Sequence, residues 1–265
     1  MDRKISENFL GGDPHEAGMP MDYFIWLAKS DSKIRVTDTD FNQQAADKRE
    51  REFLRCPTEG LKLLGVDATT VEDVIITHLH YDHVGNFDLF PQAQFYLQDS
   101  EMAYATGRHM TNPFFAHAFE EDEVVAMVRN VYKGRVSFYD GDEQLADNIS
   151  VHHVGGHTKG LQVVRVWTQK GWMVLASDAS HYAANMNEGR PFPIVVDVSQ
   201  MIDGWDKMKR LADDPAVMSL FQAPSPELEG IAVRLDACDA EGVCPPGWKN
   251  NIVDPQDNLQ GNQSD

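Results

Sequence analysis

The sequence predicts an α/β fold built in layers. Short apolar runs of strand length recur along the chain, amphipathic helical stretches fall between and after them, and several runs end in Gly, Asp or His where a loop must begin. Residues 21–28 and 33–37 read as a strand pair around the polar turn 29–32. Residues 43–64 read as helix, with Pro57 and Gly60 marking a break. Residues 74–77 and 94–97 are short strands. Over 120–132, Val124, Val125, Val128 and Val131 fall at helical spacing, with acids at the start and Arg129 and Lys133 near the end, as the helix dipole favours. Strands follow at 136–139, 149–154, 161–167 and 173–176. A helix from Ser199 to about Leu211 presents Met201, Trp205 and Met208 on one face, which reads as core. The βαβ alternation is not continuous, so a doubly wound sheet is not expected.

Bulk properties bound the function. A chain of 265 residues with 42% apolar content can bury a sizeable core as one large domain or two small ones. Its 23 basic and 42 acidic side chains leave a formal charge of −19, which argues against nucleic acid or an anionic membrane as partner. No apolar run approaches the roughly 18–20 residues of a membrane span, and the first residues lack the apolar core of a signal peptide. Cys56, Cys238 and Cys244 are too few and too scattered for a disulfide framework, so free thiols and a cytoplasmic location are expected. After about Asp236 the chain turns polar, rich in Pro, Gly, Asn and Gln, and loses periodicity. The expected organisation is a domain over 1–236 and a loosely attached tail over 237–265. Oligomeric state is left open.

The chemistry concentrates in Thr77-His-Leu-His-Tyr-Asp-His-Val-Gly85, directly after the apolar run 71–76. In an extended segment His78 and His80 point to the same side, because the side-chain period is two. Asp82 and His83 follow where the chain bends, so they can face a second point. Imidazole with carboxylate suits zinc, or iron and manganese at carboxylate-richer sites, and the cluster suggests two adjacent metal positions. A second strand ends in His157, just past Gly155 and Gly156, which permit a tight turn. A third ends in Asp178, placed to bridge two metals. His181 and Tyr182 follow closely, and either could hydrogen-bond a developing oxyanion. His152 and His153 lie inside a strand and read as packing residues, while His15, His109 and His117 have no evident ligand partner.

Together, THLHYDHVGN, VGGHTKG and LASDAS resemble the metallo-β-lactamase superfamily in order and spacing. The stretches SENFLGGDPHEAGMPMDYFIW, LHYDHVGNFDLFPQAQFYLQDSEMAYATGR, SDASHYAANMNEGRPFPIV and APSPELEGIAVRLD resemble its N-acyl-homoserine-lactonase-like branch, over most of residues 5–236. The resemblance implies a four-layer αβ/βα sandwich, two mixed sheets flanked by helices, with the metal site at one edge. It implies two zinc ions, with His78, His80 and His157 at the first, Asp82 and His83 at the second, and Asp178 bridging. The implied activity is a metal-dependent hydrolase that opens a lactone ring, of an N-acyl homoserine lactone or related cyclic ester, by attack of a metal-bound hydroxide. Asp82 or Asp178 would pass a proton to the leaving oxygen. Lactams, aryl esters and thioesters are the alternative substrates for the same machinery.

The chain departs from the branch at two places. The branch carries a further histidine ligand in a Gly-His-Asp turn near the C-terminus, and this chain has no histidine after His181. A deletion between about Ala212 and Asp214 accounts for the loss, and Asp213 or Asp214 is the candidate replacement. A second metal short of one ligand would bind more weakly, and a metal-poor, catalytically impaired relative is the alternative expectation. Asp40 also stands where the branch has glycine in the Val36–Asp40 turn, and aspartate tolerates positive φ better than most residues.

Overall fold

Two five-stranded sheets face each other. In the first, β1 (Trp26–Lys29) pairs antiparallel with β2 (Ile34–Thr37), and β3 (Asp73–Ile75), β4 (Gln94–Gln98) and β5 (Val136–Tyr139) continue it in parallel. The second holds β6 (Glu143–Ala146), β7 (Ile149–His153), β8 (Gln162–Thr168) and β9 (Gly171–Ser177) antiparallel, with β10 (Met218–Leu220) parallel to β9. This computed structural model describes residues 3–30, 33–168 and 171–212, and the backbone of 218–220.

Strand alternation builds the layers. In β3, Val74 joins Phe95 and Leu97 on the outer face, whereas Ile75 turns inward to meet Trp26, Val151, Val164 and Leu175 of both sheets. In the second sheet Val163 and Val174 face outward, while their neighbours Val164 and Leu175 face the first sheet. Among the described residues the α-helices are α1 (Gln43–Arg49), α2 (Pro57–Leu63), α3 (Tyr81–Val84), α4 (Asp99–Ala105), α5 (Pro113–Ala116), α6 (Glu121–Tyr132), α7 (Ala183–Glu188) and α8 (Val198–Leu211). Leu61 of α2, Tyr104 of α4 and Val124 and Met127 of α6 cover the first sheet; Met186 of α7 and Met201, Trp205 and Met208 of α8 cover the second. The result is two mixed sheets between helical layers, as expected. Each fully buried aliphatic side chain in these interfaces contributes about 1.5–3 kcal/mol.

The long periodic helices stand where the sequence puts them, and the helix expected over 43–64 is corrected. It ends at Arg49, where Glu50 takes a left-handed φ of 54°. The chain then runs without helix to Cys56, and Pro57 restarts it at a first-turn position, where its missing N–H costs nothing. Gly60 lies buried inside the second helix rather than at a break.

Glutamine side chains stitch the sheets together at the edge where β3 and β9 end. Gln162 donates to Ile76 O (2.8 Å) and Tyr96 O (3.1 Å) and accepts from Gln98 (2.9 Å), and its N–H reaches Thr77 O at 3.0 Å. The proposed tail over 237–265, the boundary at 236, Asp213, Asp214, Cys238 and Cys244 lie outside the described residues. Among the described residues no helix is long and apolar enough to cross a membrane.

Candidate metal centre

Three strand ends converge at the stitched edge. The loop after β3 carries His78 and His80; α3 follows at once and carries Asp82 and His83 on a single turn. The loop after β7 turns through Gly155 (φ 62°) and Gly156 (φ 85°) and delivers His157. Only glycine fits at 156, since a Cβ there would stand 2.6 Å from the backbone of Met201 on α8. β9 ends at Ser177, a non-glycine residue with φ 47°, and the bend aims Asp178 back at the histidines. Such a backbone costs on the order of 1–3 kcal/mol and persists only where its surroundings enforce it.

The six side chains form two ligand groups. His78, His80, His157 and Asp178 offer one atom each within 4.8 Å of one another, all buried; Asp82, His83 and Asp178 form a second group. Asp178 turns a different oxygen to each: Oδ2 lies 3.0 Å from His157 Nε2 and 3.7 Å from His78 Nε2, and Oδ1 lies 3.5 Å from His83 Nε2. His80 Nδ1 is 2.8 Å from His157 Nε2.

Surrounding acceptors fix the tautomers. His157 Nδ1–H donates to Ile194 O (2.6 Å), leaving Nε2 as an inward lone pair. The Asp38 carboxylate accepts from His83 Nδ1–H (2.8 Å), which turns Nε2 toward Asp82 (3.7 Å) and Asp178 (3.5 Å). Asp38 also accepts from Thr77 N (2.8 Å) and from the Thr77 hydroxyl (2.8 Å to Oδ2). With that proton committed, Thr77 Oγ1 accepts from His78 Nδ1–H at 3.2 Å. His78 Nε2 then faces the group as a buried lone pair without a hydrogen-bond partner. An orphaned imidazole nitrogen, an inward nitrogen of fixed tautomer, a third ring nitrogen turned toward two carboxylates and a shared carboxylate are a donor set suited to zinc or a similar divalent ion.

Electrostatics agree with that donor set. Burial, then the neighbouring His83 and His80, holds the His78 pKa well below its ordinary value, and burial with His157 does the same for His80, so both rings are neutral. Burial works against the Asp178 carboxylate, but His181, His157 and His83 outweigh it and keep the group ionised. Burial likewise opposes charge on His83, yet Asp38, Asp178 and Asp82 raise its pKa well above the ordinary value. Three carboxylates around one imidazole create a demand for positive charge at this point.

Of the two oxyanion candidates, the structure brings one to the cluster. His181 Nε2 is 3.2 Å from Asp178 Oδ2, and its ring stacks on Phe192 at 3.9 Å between centroids. Tyr182 is corrected: it lies beside the site in sequence, but its hydroxyl donates to Met19 O (3.1 Å) and Pro20 O (3.2 Å) of the N-terminal segment. His152 bonds Asp142 (3.0 Å) and Ser150 (2.8 Å), and His153 meets Lys159 O (2.9 Å), both apart from the ligand groups. His15, His109 and His117 also stay outside them. Asp40 takes positive φ (56°), as anticipated.

Two buried acids that contact the ligand-bearing loops escaped the sequence reading. One is Asp38, for which the only signal is its place just after a strand end. The other is Glu101 on α4, fully buried yet carried on a helix too short for periodicity to betray.

A further acid, Glu123 of α6, is 8% exposed; burial first, then Glu120 and Asp82, push its carboxyl up to about 8. The folded chain therefore holds a proton that the unfolded chain releases above the ordinary value of 4.5. Folding stability from this group is lost as pH rises between those values, at up to about 1.4 kcal/mol per unit. Thermal melts should show Glu123→Gln several degrees more stable than the parent chain at pH 9 and nearly equal to it at pH 5. Equal melting shifts at both values would refute the buried-proton reading.

Comparison with known proteins follows the same lines. Residues 25–220 match the family described as the metallo-beta-lactamase superfamily. N-acyl homoserine lactonase AiiB of Agrobacterium fabrum (strain C58) is 30% identical over 135 residues, which cover 48% of this chain and 47% of that protein. An N-acyl homoserine lactonase of a Bacillus species is 28% identical over 134 residues, 50% and 48% of the two chains. The chain spans about half the length of the curated relatives it matches. Among solved structures, a quorum-quenching N-acyl homoserine lactone lactonase superposes with a TM-score of 0.66 at 16% identity, covering 84% of this chain and 94% of that one. AidC, a dizinc quorum-quenching lactonase in complex with a product, gives 0.58 at 19% identity, covering 80% and 76%. At these identities the structural likeness speaks for the fold.

Proposed function

The chain belongs to the metallo-beta-lactamase superfamily, and from that premise we propose that it is a metal-dependent hydrolase that opens the ring of a lactone, an N-acyl homoserine lactone or a related cyclic ester. The observation that carries this reading is the sharing of Asp178, one oxygen to each of two adjacent ligand groups. His78, His80, His157 and Asp178 would hold one zinc ion, and Asp82, His83 and Asp178 a second. Ions held there supply Lewis acidity, bringing the pKa of a water toward neutrality and polarising an ester carbonyl.

The protein's own residues do the rest. Asp178 fixes the spacing of the two groups and carries negative charge between them. Asp38 and Thr77 lock the rings that must present lone pairs. His181, held flat by Phe192, is the candidate donor to the carbonyl oxygen as negative charge develops there. Asp82 or Asp178, the carboxylates at that edge, would pass the proton that the leaving oxygen takes up. The expected substrates are small neutral cyclic esters, and the formal charge of −19 argues against nucleic acid as a partner. One feature favours a second reading: among the described residues the second ligand group has three side chains where the first has four. A chain filled at the first group alone would be an impaired relative with weak turnover.

The test is hydrolysis of matched lactones, lactams, aryl esters and thioesters by zinc-loaded protein, followed through acid release. The expected result is a kcat/KM for at least one lactone that exceeds every other class and vanishes with chelator. A preference for thioester or lactam would reassign the substrate, a single bound ion with weak turnover would leave the impaired relative, and no turnover of any class with both groups filled would overturn the hydrolase reading.

A further inference from the structure

We infer that Glu101 is a positioning residue that ties the two histidine-bearing loops of the four-ligand group together and so sets that group's metal affinity. The inference rests on reading that group as a metal site.

Glu101 is 0% exposed, and its carboxylate accepts from both loops at once. Oε1 takes Leu79 N–H at 2.9 Å, and Leu79 stands between His78 and His80. Oε2 takes the Thr158 hydroxyl at 2.6 Å and Gly160 N–H at 2.9 Å, and Thr158 follows His157 directly. The donors are 22, 57 and 59 residues away in sequence, so the two loops have no local reason to keep their spacing. A second observation shows how tightly α4 is pressed into them: a Cβ on Gly160 would stand 2.1 Å from Glu101 N. Gly160 is the only residue type that lets the helix approach so far.

A buried carboxylate that accepts two backbone N–H groups and a hydroxyl can serve as a fixed pin, because it has acceptor sites for all three and donates nothing itself. Burial raises the carboxyl's pKa overall, with the Thr158, Leu79 and Gly160 donors opposing that rise. Its removal takes away the tie nearest the histidines and leaves the Gln162 contacts to Ile76 and Thr77 at the base of the loops, so His80 and His157 are held less firmly on one point. Partners that orient metal ligands from behind typically control affinity by 10–100-fold.

The test uses the full chain with Glu101→Gln, which keeps the shape but presents an amide N–H₂ to donors, and Thr158→Val, which removes one of the three bonds. Affinity for Zn²⁺ is read by competition with a chromophoric chelator, the ligand field by visible absorption of the Co²⁺ form, and stability by melting with and without metal. Glu101→Gln should weaken the tighter metal about 10–100-fold, alter the Co²⁺ spectrum and shrink the metal-induced rise in Tm; Thr158→Val should do the same to a smaller degree. If both forms melt lower by equal amounts with and without metal, at parental affinity and spectrum, Glu101 is a packing residue and the inference fails. Should Glu101→Gln not fold, Thr158→Val decides alone. A parent chain that binds no metal would instead overturn the metal site itself.

Discussion

Asp178→Ala is expected to lower kcat/KM on a lactone by at least about a thousandfold, roughly 4 kcal/mol of lost transition-state stabilisation. It should also strip metal from both ligand groups. The reason is geometric. Asp178 is the one side chain common to the two groups, with Oδ2 toward His157 and Oδ1 toward His83. Losing it reduces the first group to three imidazoles and the second to Asp82 and His83. Its buried negative charge also disappears from a pocket of neutral rings and His83. The fold should survive, since the ion pairs of Asp178 are all with site histidines. Elemental analysis alongside circular dichroism checks this: native secondary structure with metal below one ion per chain is the expected pair. Full metal content in Asp178→Ala would remove the shared carboxylate from the account. Asp178→Asn, which keeps one acceptor oxygen, should fall between the two.

The second large effect is expected at a residue that lies in neither ligand group. Asp38→Asn should weaken the second metal about 10–100-fold, with a matching fall in kcat, while the first metal is affected less. Asp38 is fully buried and accepts from His83 Nδ1, Thr77 N and Thr77 Oγ1. Asparagine keeps the shape but turns an N–H₂ toward one of those donors. Facing His83, it would favour the wrong tautomer and take the Nε2 lone pair away from Asp82 and Asp178. Facing Thr77, it would free the hydroxyl proton that leaves Oγ1 as acceptor for His78 Nδ1–H. Stepwise metal titration separates the two outcomes, and equal weakening of both metals would mean that Thr77, not His83, carries the effect. Unchanged binding of both would show that Asp38 is only a packing acid.

These two predictions mark what a sequence can and cannot disclose. Asp178, His78, His80, His157, Asp82 and His83 were legible because each sits at a strand end or on the next turn, where ligand-type residues cluster within a few positions. The layered α/β fold was legible for a similar reason: α6 and α8 are long enough for period, and the strands alternate or run apolar. Asp38 and Glu101 were not legible, since their work depends on pairings across 45 residues to His83 and up to 59 to Gly160. The helices α3, α4 and α7 have four to seven residues each and are held by tertiary packing rather than by a pattern, and the four-residue α5 buries no residue and is capped by Asn112. Tyr182 illustrates the opposite error. Adjacency to His181 suggested the site, but the N-terminal segment supplies two carbonyls that claim its hydroxyl. The helix break at Pro57 was placed correctly and read wrongly, because proline there begins a helix rather than interrupting one.

The most direct measurement is the number of zinc ions bound per chain at saturation, with stepwise affinities, for the parent protein and for His83→Ala. Two ions in the parent, the second weaker, falling to one in His83→Ala, is the result that two groups sharing Asp178 require. A single ion in the parent whose affinity is indifferent to His83→Ala, or no ion at all, would contradict it.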